Sequence, residues 1–390
     1  MIIQGDNMKI MPTLEDESFH TCVTSPPYWG LRDYGIPPTE WPEVTYTPMA
    51  GLPPITVPAW TGCLGLEPTP EMFTAHTVLV FREVWRLLRP DGTLWLNYGD
   101  SYSASGIKRD EGLNKRWHGK HYLSNKQGES DRRRPARVRP NDLKKKDLIG
   151  IPWRVAFALQ ADGWYLRMDN IWEKPNPMPE SVDDRPTKAH EYMFLLAKSE
   201  RYYFDKEAIK EPCAQDEWAN RFRGGSYTGN ETFDNQDGGK RKVKGNFKVP
   251  AGWDTALGSH GTIHRTGRTL TYSFARAVKE SPPPGKQQQH RPDREHVEYS
   301  GMRNKRSVWT VATQPFPEAH FATFPEKLIL PCILAGAPIG GAVFDPFGGS
   351  GTTRKVALEN NRECTIIEIG PQYVEIAERR TAVIQPVLNI

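Results

Sequence analysis

The sequence predicts an α/β protein built on a doubly wound, mostly parallel sheet. Two stretches carry that prediction. Toward the C-terminus, "GAVFDPF" reads as a buried strand and "GGSGTTRKVALENN" as a glycine turn opening a helix. "ECTIIEIG" then reads as a strand and "PQYVEIAERR" as a helix, with short connections throughout. Strand–helix alternation with short loops packs helices onto a parallel sheet. Near the N-terminus the same order runs from "HTCVTS" through a long amphipathic helix to "TLWLNYGD".

Taken in order, Ile2 and Ile3 begin a short strand that ends near "QGDN", and Cys22 and Val23 lie in a second. Residues 35–65 are rich in Pro, Thr and Trp without periodicity, and read as one long loop of the kind used as a lid or binding element. The next helix has Thr69 as N-cap and Pro70 at its first position. Phe73, Thr77, Val80, Val84, Leu87 and Leu88 recur at its period, and Asp91-Gly92 turns the chain into the following strand. "IPWRVAFALQADGW" is a helix ending near Gly163, and "WYLRMDNIWEKP" and "HEYMFLLAKS" are two apolar strands. "PEKLILPCILAG" is a further helix, and no internal repeat is visible. The pattern assigns residues 1–100, 148–205 and 305–390 to one catalytic domain, interrupted by polar, basic segments at 101–147 and 206–304.

A chain of 390 residues with 37% hydrophobic and 25% charged residues is a globular protein. "MIIQGDNMK" does not read as a signal peptide, and prolines and glycines break the longest apolar stretch, Leu328 to Phe344, so no membrane partner is expected. Five scattered cysteines form no CxxC pair, so neither a metal site nor a disulfide framework is expected, and a reducing cytoplasm is the simplest location. The net charge of +4 is unevenly placed. Residues 101–150 carry 14 Lys/Arg against 6 Asp/Glu, and 205–310 carry 19 against 13. Basic segments in an otherwise acidic chain suit a polyanionic partner; solvated loops are the alternative.

"FDPFGGSGTT", Phe344 to Thr353, ends a strand and opens a helix. Its glycines let backbone approach a ligand, and the helix N-terminus supplies N–H donors. A phosphate-binding P-loop needs a Gly-Lys-Ser/Thr that is missing, and a dinucleotide fingerprint needs a third glycine where Arg354 stands. A nucleoside-type ligand without phosphates, such as S-adenosylmethionine, fits better. Its amino-acid end could meet Asp345 and the backbone amides, and Glu368 stands at the end of the next strand to accept from the ribose hydroxyls. A purely structural turn is the other reading.

"VTSPPYWGL", Val23 to Leu31, raises a different question: why a strand should end in a donor-free bend followed at once by two aromatics. An exocyclic amino group on cytosine or adenine is a poor nucleophile, because its lone pair is delocalised into the ring. Ser25 Oγ and the Pro26 carbonyl, stiffened by Pro27, could accept its two N–H protons and draw the nitrogen toward tetrahedral geometry. Tyr28 could stack on the base, which must then leave the duplex. The alternative is an edge turn with core aromatics.

Together these motifs resemble the DNA amino-methyltransferases, which methylate cytosine N4 or adenine N6. "TSPPY" (Thr24 to Tyr28) resembles their catalytic motif, with Ser25, Pro26, Pro27 and Tyr28 as its site residues. "DPFGGSGTT" resembles their S-adenosyl-L-methionine motif, which assigns Asp345, Pro346, Phe347, Gly348, Gly349, Ser350, Gly351 and Thr352, with Glu368, to the cofactor. Catalytic motif first and cofactor motif last is the family's β-type circular permutation of a Rossmann-like sheet. The resemblance places Asp6 near the cofactor adenine, and "HFATFPEKL", with Thr323 and Phe324, near its methionine end. "IWEKPNPMPESVDDRPTKAHEYMFLL" is similar to the strand pair flanking the target-base pocket, so Trp29, Trp172, Lys174 and Asn176 are expected to face substrate. The basic segments fall where the family places target recognition, with Arg132, Arg133, Arg134, Lys144, Lys145 and Lys146 as phosphate contacts.

The resemblance implies a site-specific methyltransferase acting on double-stranded DNA. "TSPPY" looks like the cytosine-N4 members, while adenine enzymes more often carry Asp at this position. Adenine N6, RNA methylation and a non-catalytic nucleic-acid binder are the alternatives. A restriction endonuclease, if one exists, would be a separate protein, and monomer and homodimer are both open. Cys332, in an apolar helix, reads as packing rather than as a nucleophile, and His190-Glu191, at the head of a strand, reads as a strand cap, with a general base as the alternative.

Overall fold

The computed structural model describes residues 1–30, 35–103, 143–212, 233–234, 240–241, 302–314, 324–382 and 384. The chain forms two units, Met1–Lys210 with Asn304–Ile390, and Glu211–Arg303.

The larger unit is built on an eight-stranded sheet. Its strands are β1 (Ile2–Gln4), β2 (Phe19–Thr24), β7 (Leu88–Tyr98), β8 (Tyr165–Glu173), β9 (His190–Ala197), β14 (Val308–Thr310), β15 (Ala342–Asp345) and β16 (Glu363–Glu368). They lie in the order β1-β16-β15-β2-β7-β9-β8-β14. Every neighbouring pair is parallel except β7 with β9 and β9 with β8. β15 and β2 mark the point where successive connections run outward in opposite directions. Ligands of open α/β sheets bind outside the strand ends at such a point.

A short helix, α1 (Asn7–Ile10), follows β1. Side chains alternate across the sheet, and longer helices cover both faces. Cys22, Leu94, Leu96, Phe194 and Phe344 pack under α2 (Pro70–Leu87) and α3 (Ile151–Ala161). Their neighbours Val23, Trp95, Met193, Leu195 and Val343 face the other way, under α4 (Glu326–Gly336), α5 (Thr352–Glu359) and α6 (Pro371–Thr381). This is a doubly wound Rossmann-like sheet. Two N-termini are capped from within the chain. Thr69 accepts from Met72 N to start α2, and the Asp100 carboxylate accepts from Gly150 N and Ile151 N to start α3.

Two local expectations are corrected. Asp91-Gly92 does not precede β7 but lies inside it. Leu88 faces Phe19 and Thr93 faces Thr21, so the residues between bulge out of the ladder. Residues 35–65 are not one irregular loop. β3 (Thr39–Trp41) pairs with β6 (Trp60–Gly62), and β4 (Val44–Tyr46) with β5 (Ile55–Val57), both antiparallel. The signal was an alternation only three residues long in each piece, buried–exposed–buried in β3 and β4, which the surrounding prolines masked.

In the second unit, β10 (Glu211–Pro212) pairs with β13 (Met302–Arg303), and β11 (Phe233–Asp234) with β12 (Lys240–Arg241). No helix among the described residues is long and apolar enough to cross a membrane.

Candidate active site

The two sequence motifs leave adjacent strands at one edge of the sheet. β2 ends in the proline turn and β15 in the glycine turn, and the strands run parallel with Phe344 opposite Cys22. One hydrogen bond joins the turns across most of the chain: Thr24 Oγ1 donates to Asp345 Oδ1 at 2.7 Å.

In the glycine turn each glycine meets a different constraint. A Cβ on Gly348 would lie 2.8 Å from the Ile366 side chain. A Cβ on Gly351 would lie 2.7 Å from that of Ala377 on α6, and its φ is +78°. Gly349 has φ +49°, a conformation that favours glycine, and a Cβ there would meet nothing closer than the Phe347 carbonyl at 4.0 Å. Glu368 accepts from Gly349 N at 2.8 Å and Gly370 N at 2.7 Å, which ties the turn to the end of β16. Burial pushes the Glu368 carboxyl up. Asp6, past β1, accepts from Met8 N and from Thr39 Oγ1, both at 2.9 Å, so it caps α1 and anchors β3. Asn7 Nδ2 donates to the Pro346 carbonyl at 3.2 Å, tying the start of α1 to the glycine turn. Phe347 is half-buried beside it, and Phe324 is half-buried just before α4.

Three residues expected at the cofactor are turned inward. Asp345 is only 1% exposed, and it accepts from Thr24 Oγ1, Thr353 Oγ1 and Phe347 N. It organises the junction of the two turns. Ser350 and Thr352 are buried, and both side chains accept from Arg380 Nη1 on α6. Thr323 lies outside the described residues.

Burial also pushes the Asp345 carboxyl up to about 6 from an ordinary 3.8, against the three hydrogen bonds that favour its ionised form. The folded protein therefore holds this proton better than the unfolded chain does. The stability so added is fully present below the unfolded value and is lost as the pH rises through about 6. Asp345→Asn cannot titrate. Parent stability relative to this variant is expected to fall between about pH 4 and pH 6 and to level off above that. Urea unfolding across the range checks this; a constant difference would remove Asp345 as the source.

In the proline turn, Pro26 and Trp29 are buried and Ser25, Pro27 and Tyr28 half-buried. Trp29 is 8% exposed and donates Nε1 to the Glu67 carbonyl at 2.8 Å. It anchors the turn. The anchor is deep: the Glu67 carboxylate accepts from Gly65 N and pairs with His76 Nδ1 on α2, while Gly30 N donates to the Gly65 carbonyl. Ser25 Oγ donates to Asn97 Oδ1 at 3.3 Å. The Tyr28 hydroxyl lies 3.0 Å from the same oxygen and 2.8 Å from Glu191 Oε2. Lys174 Nζ binds Glu191 Oε1 and lies 4.2 Å above the Trp172 ring. Asn97, Lys174 and Glu191 come from β7, the end of β8 and the start of β9, at the sheet edge that carries both turns.

Trp172 and Asn176, expected at the substrate, have their polar groups engaged within the protein. Trp172 is 4% exposed and donates Nε1 to the Val311 carbonyl, so it is a floor for Lys174. Asn176 has both ends of its amide engaged by Thr313, one with the carbonyl and one with the N–H. Lys144, Lys145 and Lys146 are exposed, but Lys146 pairs with Asp184 at 2.5 Å and Lys144 with Asp147 at 3.5 Å. Arg132, Arg133 and Arg134 lie outside the described residues. Cys332 is buried, its thiol is pushed well up by burial, and its Sγ contacts the Leu328 carbonyl 3.7 Å away. Asn97 is the residue of this cluster that the sequence did not single out, and Glu191 read with His190 as a strand cap or a base. The signal for Glu191 was its place at the head of a strand beside an equally polar His190.

The family model described as DNA methylase, N6/N4 type, matches residues 19–379. This chain belongs to the N6/N4 DNA methylase family. It is 36% identical to the Type II methyltransferase M.Cfr9I of Citrobacter freundii, over 97% of this chain and 86% of that protein. It is 35% identical to the Type II methyltransferase M.SmaI of Serratia marcescens, over 97% of this chain and 89% of that protein. Among solved structures, the cytosine-N4-specific PvuII DNA methyltransferase aligns with a TM-score of 0.49 at 15% identity, covering 97% of this chain and 85% of that one. The methylase draws its methyl group from S-adenosyl-L-methionine. The carboxylate of Glu368 and the half-buried Phe347 suit a nucleoside with no phosphate to neutralise.

Proposed function

We propose that this methylase transfers a methyl group to N4 of cytosine in double-stranded DNA, with the target base flipped out of the helix. The observation that carries the reading is the Thr24–Asp345 hydrogen bond, which sets the proline turn directly beside the glycine turn. The cofactor, when bound, would supply an electrophilic methyl on a sulfonium and leave as the thioether, and the methylated nitrogen would release one N–H proton to solvent. Ser25 and the Pro26 carbonyl accept the two N–H protons of the target amino group, restoring lone-pair density to its nitrogen. Tyr28 lines the base pocket, and Asp6, Phe324, Phe347, Gly349 and Glu368 line the cofactor groove. Positioning supplies the rate, and no covalent enzyme intermediate is needed. Residues 1–100, 148–205 and 305–390 carry out this chemistry. Segments 101–147 and 206–304 contact DNA, with a net positive charge suited to phosphates. The Type II relatives support a separate restriction endonuclease as the functional partner.

The cytosine assignment is supported by a neutral Ser at position 25. DNA modified by the purified enzyme, digested to nucleosides and analysed by mass spectrometry, is expected to contain N4-methylcytosine. N6-methyladenine alone would overturn the base assignment and leave amino-methylation standing.

A further inference from the structure

A serine facing an amino group helps its chemistry only by offering lone pairs, so the direction of the Ser25 proton matters. Hydroxyl protons follow from the network around them. Asn97 is fixed first: its Nδ2 donates to the Tyr192 carbonyl at 3.0 Å, and that oxygen can only accept. Glu191 Oε2 lies on the same side, 3.4 Å from Nδ2. Asn97 Oδ1 therefore faces the two hydroxyls of Ser25 and Tyr28. Tyr28 has one proton, and Glu191 Oε2, Asn97 Oδ1 and the Ser25 hydroxyl all lie within its reach. The carboxylate at 2.8 Å is closer than the Asn97 oxygen, and the bond to it is charge-assisted, so the proton goes to Glu191. Lys174 holds the other carboxylate oxygen, which leaves Oε2 for Tyr28. Asn97 Oδ1 is then left to the proton of Ser25, and Ser25 has only lone pairs to present outward.

We propose that Glu191 is a positioning residue that takes the proton of Tyr28 and thereby sets the direction of the whole chain, so that Ser25 meets the target amino group purely as an acceptor. The inference rests on the amino-methyltransferase reading above. The close packing of this cluster supports it. A Cβ on Gly99 would lie 2.8 Å from Tyr28 Cε2 and 3.2 Å from the Glu191 carboxylate, so only glycine lets the phenol and the carboxylate meet here. Burial and the adjacent Glu191 also push the Tyr28 phenol well above its ordinary value, so it keeps the proton it donates.

Glu191→Gln inverts one end of the chain. Lys174 requires an oxygen, so the new amide turns its NH2 toward Tyr28. The Tyr28 proton is driven back to Asn97 Oδ1, whose two lone pairs it then shares with Ser25, or to Ser25 Oγ itself, where it occupies a lone pair that the target amino group needs. A double-mutant cycle with Tyr28→Phe tests this, because phenylalanine keeps the ring and removes the competing hydroxyl. Glu191→Gln is expected to lower kcat by about tenfold or more when Tyr28 is present, and by less than about threefold in the Tyr28→Phe background. Calorimetry should give parental affinity for S-adenosylmethionine in all four proteins. Equal losses in the two backgrounds, or no loss in either, overturn the inference alone. A parent protein that leaves the amino groups of DNA unmethylated overturns the reading beneath it as well.

Discussion

Ser25→Ala is expected to lower the rate of methyl transfer by about 10²–10³-fold while S-adenosylmethionine binds as tightly as to the parent. The size of the effect follows from the chemistry. The amino nitrogen gains nucleophilicity only as its N–H protons are drawn away from the ring, and the proposed mechanism provides two acceptors. Removing one leaves that proton facing an alanine methyl in a half-buried site, where water substitutes poorly. The separation of effects follows from the hydrogen bonds. Ser25 bonds Asn97 on β7, whereas the link to the glycine turn is made by its neighbour Thr24. Thr24→Val is therefore the informative contrast: it should weaken both cofactor binding and turnover. Single-turnover transfer from labelled cofactor, with calorimetry on the same samples, separates the two. Turnover within about threefold of the parent would remove Ser25 from the chemistry. Loss of cofactor affinity would make it part of the glycine-turn scaffold instead. Cys332→Ser should be close to neutral, since its Sγ lies in the core of α4 against the Leu328 carbonyl.

The centre of the sheet was legible because β2, β15 and β16 are short apolar runs between turn residues, whereas β8 is largely exposed and β14 gave no signal of its own. Val23–Thr24 into Pro26-Pro27, and Phe344–Asp345 into Gly348, could each be placed at a strand end without coordinates. What the sequence could not supply was the use of each polar side chain. Asp345, Ser350 and Thr352 sit within a ligand-binding motif, yet their partners are Thr24, Thr353 and Arg380, residues distant in the chain or on the far side of a helix. Trp29 and Trp172 follow the same logic. An indole is an equally good wall for a base or anchor for a turn, and only the carbonyls of Glu67 and Val311 decide. Glu191 erred in the opposite direction. It looked like a strand cap because its partners Lys174, Asn97 and Tyr28 arrive from three other parts of the chain.

Glu368→Ala is expected to weaken S-adenosylmethionine binding by about 10- to 100-fold, from two losses that act together. The first is direct: the proposed acceptors for the ribose hydroxyls disappear. The second is in the protein itself. Gly349 N and Gly370 N both donate to this carboxylate, and alanine leaves both amides without that partner at the end of β16. Gly349 has no side chain and a φ of +49°, so its amide is the part of the turn most dependent on an outside tether. Glu368→Gln should fall between parent and alanine, because its one oxygen can serve a single N–H while its NH2 faces the other. Calorimetry with S-adenosylmethionine on the three proteins gives the order directly, and thermal unfolding without ligand isolates the turn's share. If the alanine variant melts lower but binds the cofactor as the parent does, Glu368 only braces the turn. If affinity drops at an unchanged melting temperature, ribose recognition accounts for the whole effect. A drop in both, with glutamine between, is the result the paired hydrogen bonds at Gly349 and Gly370 require.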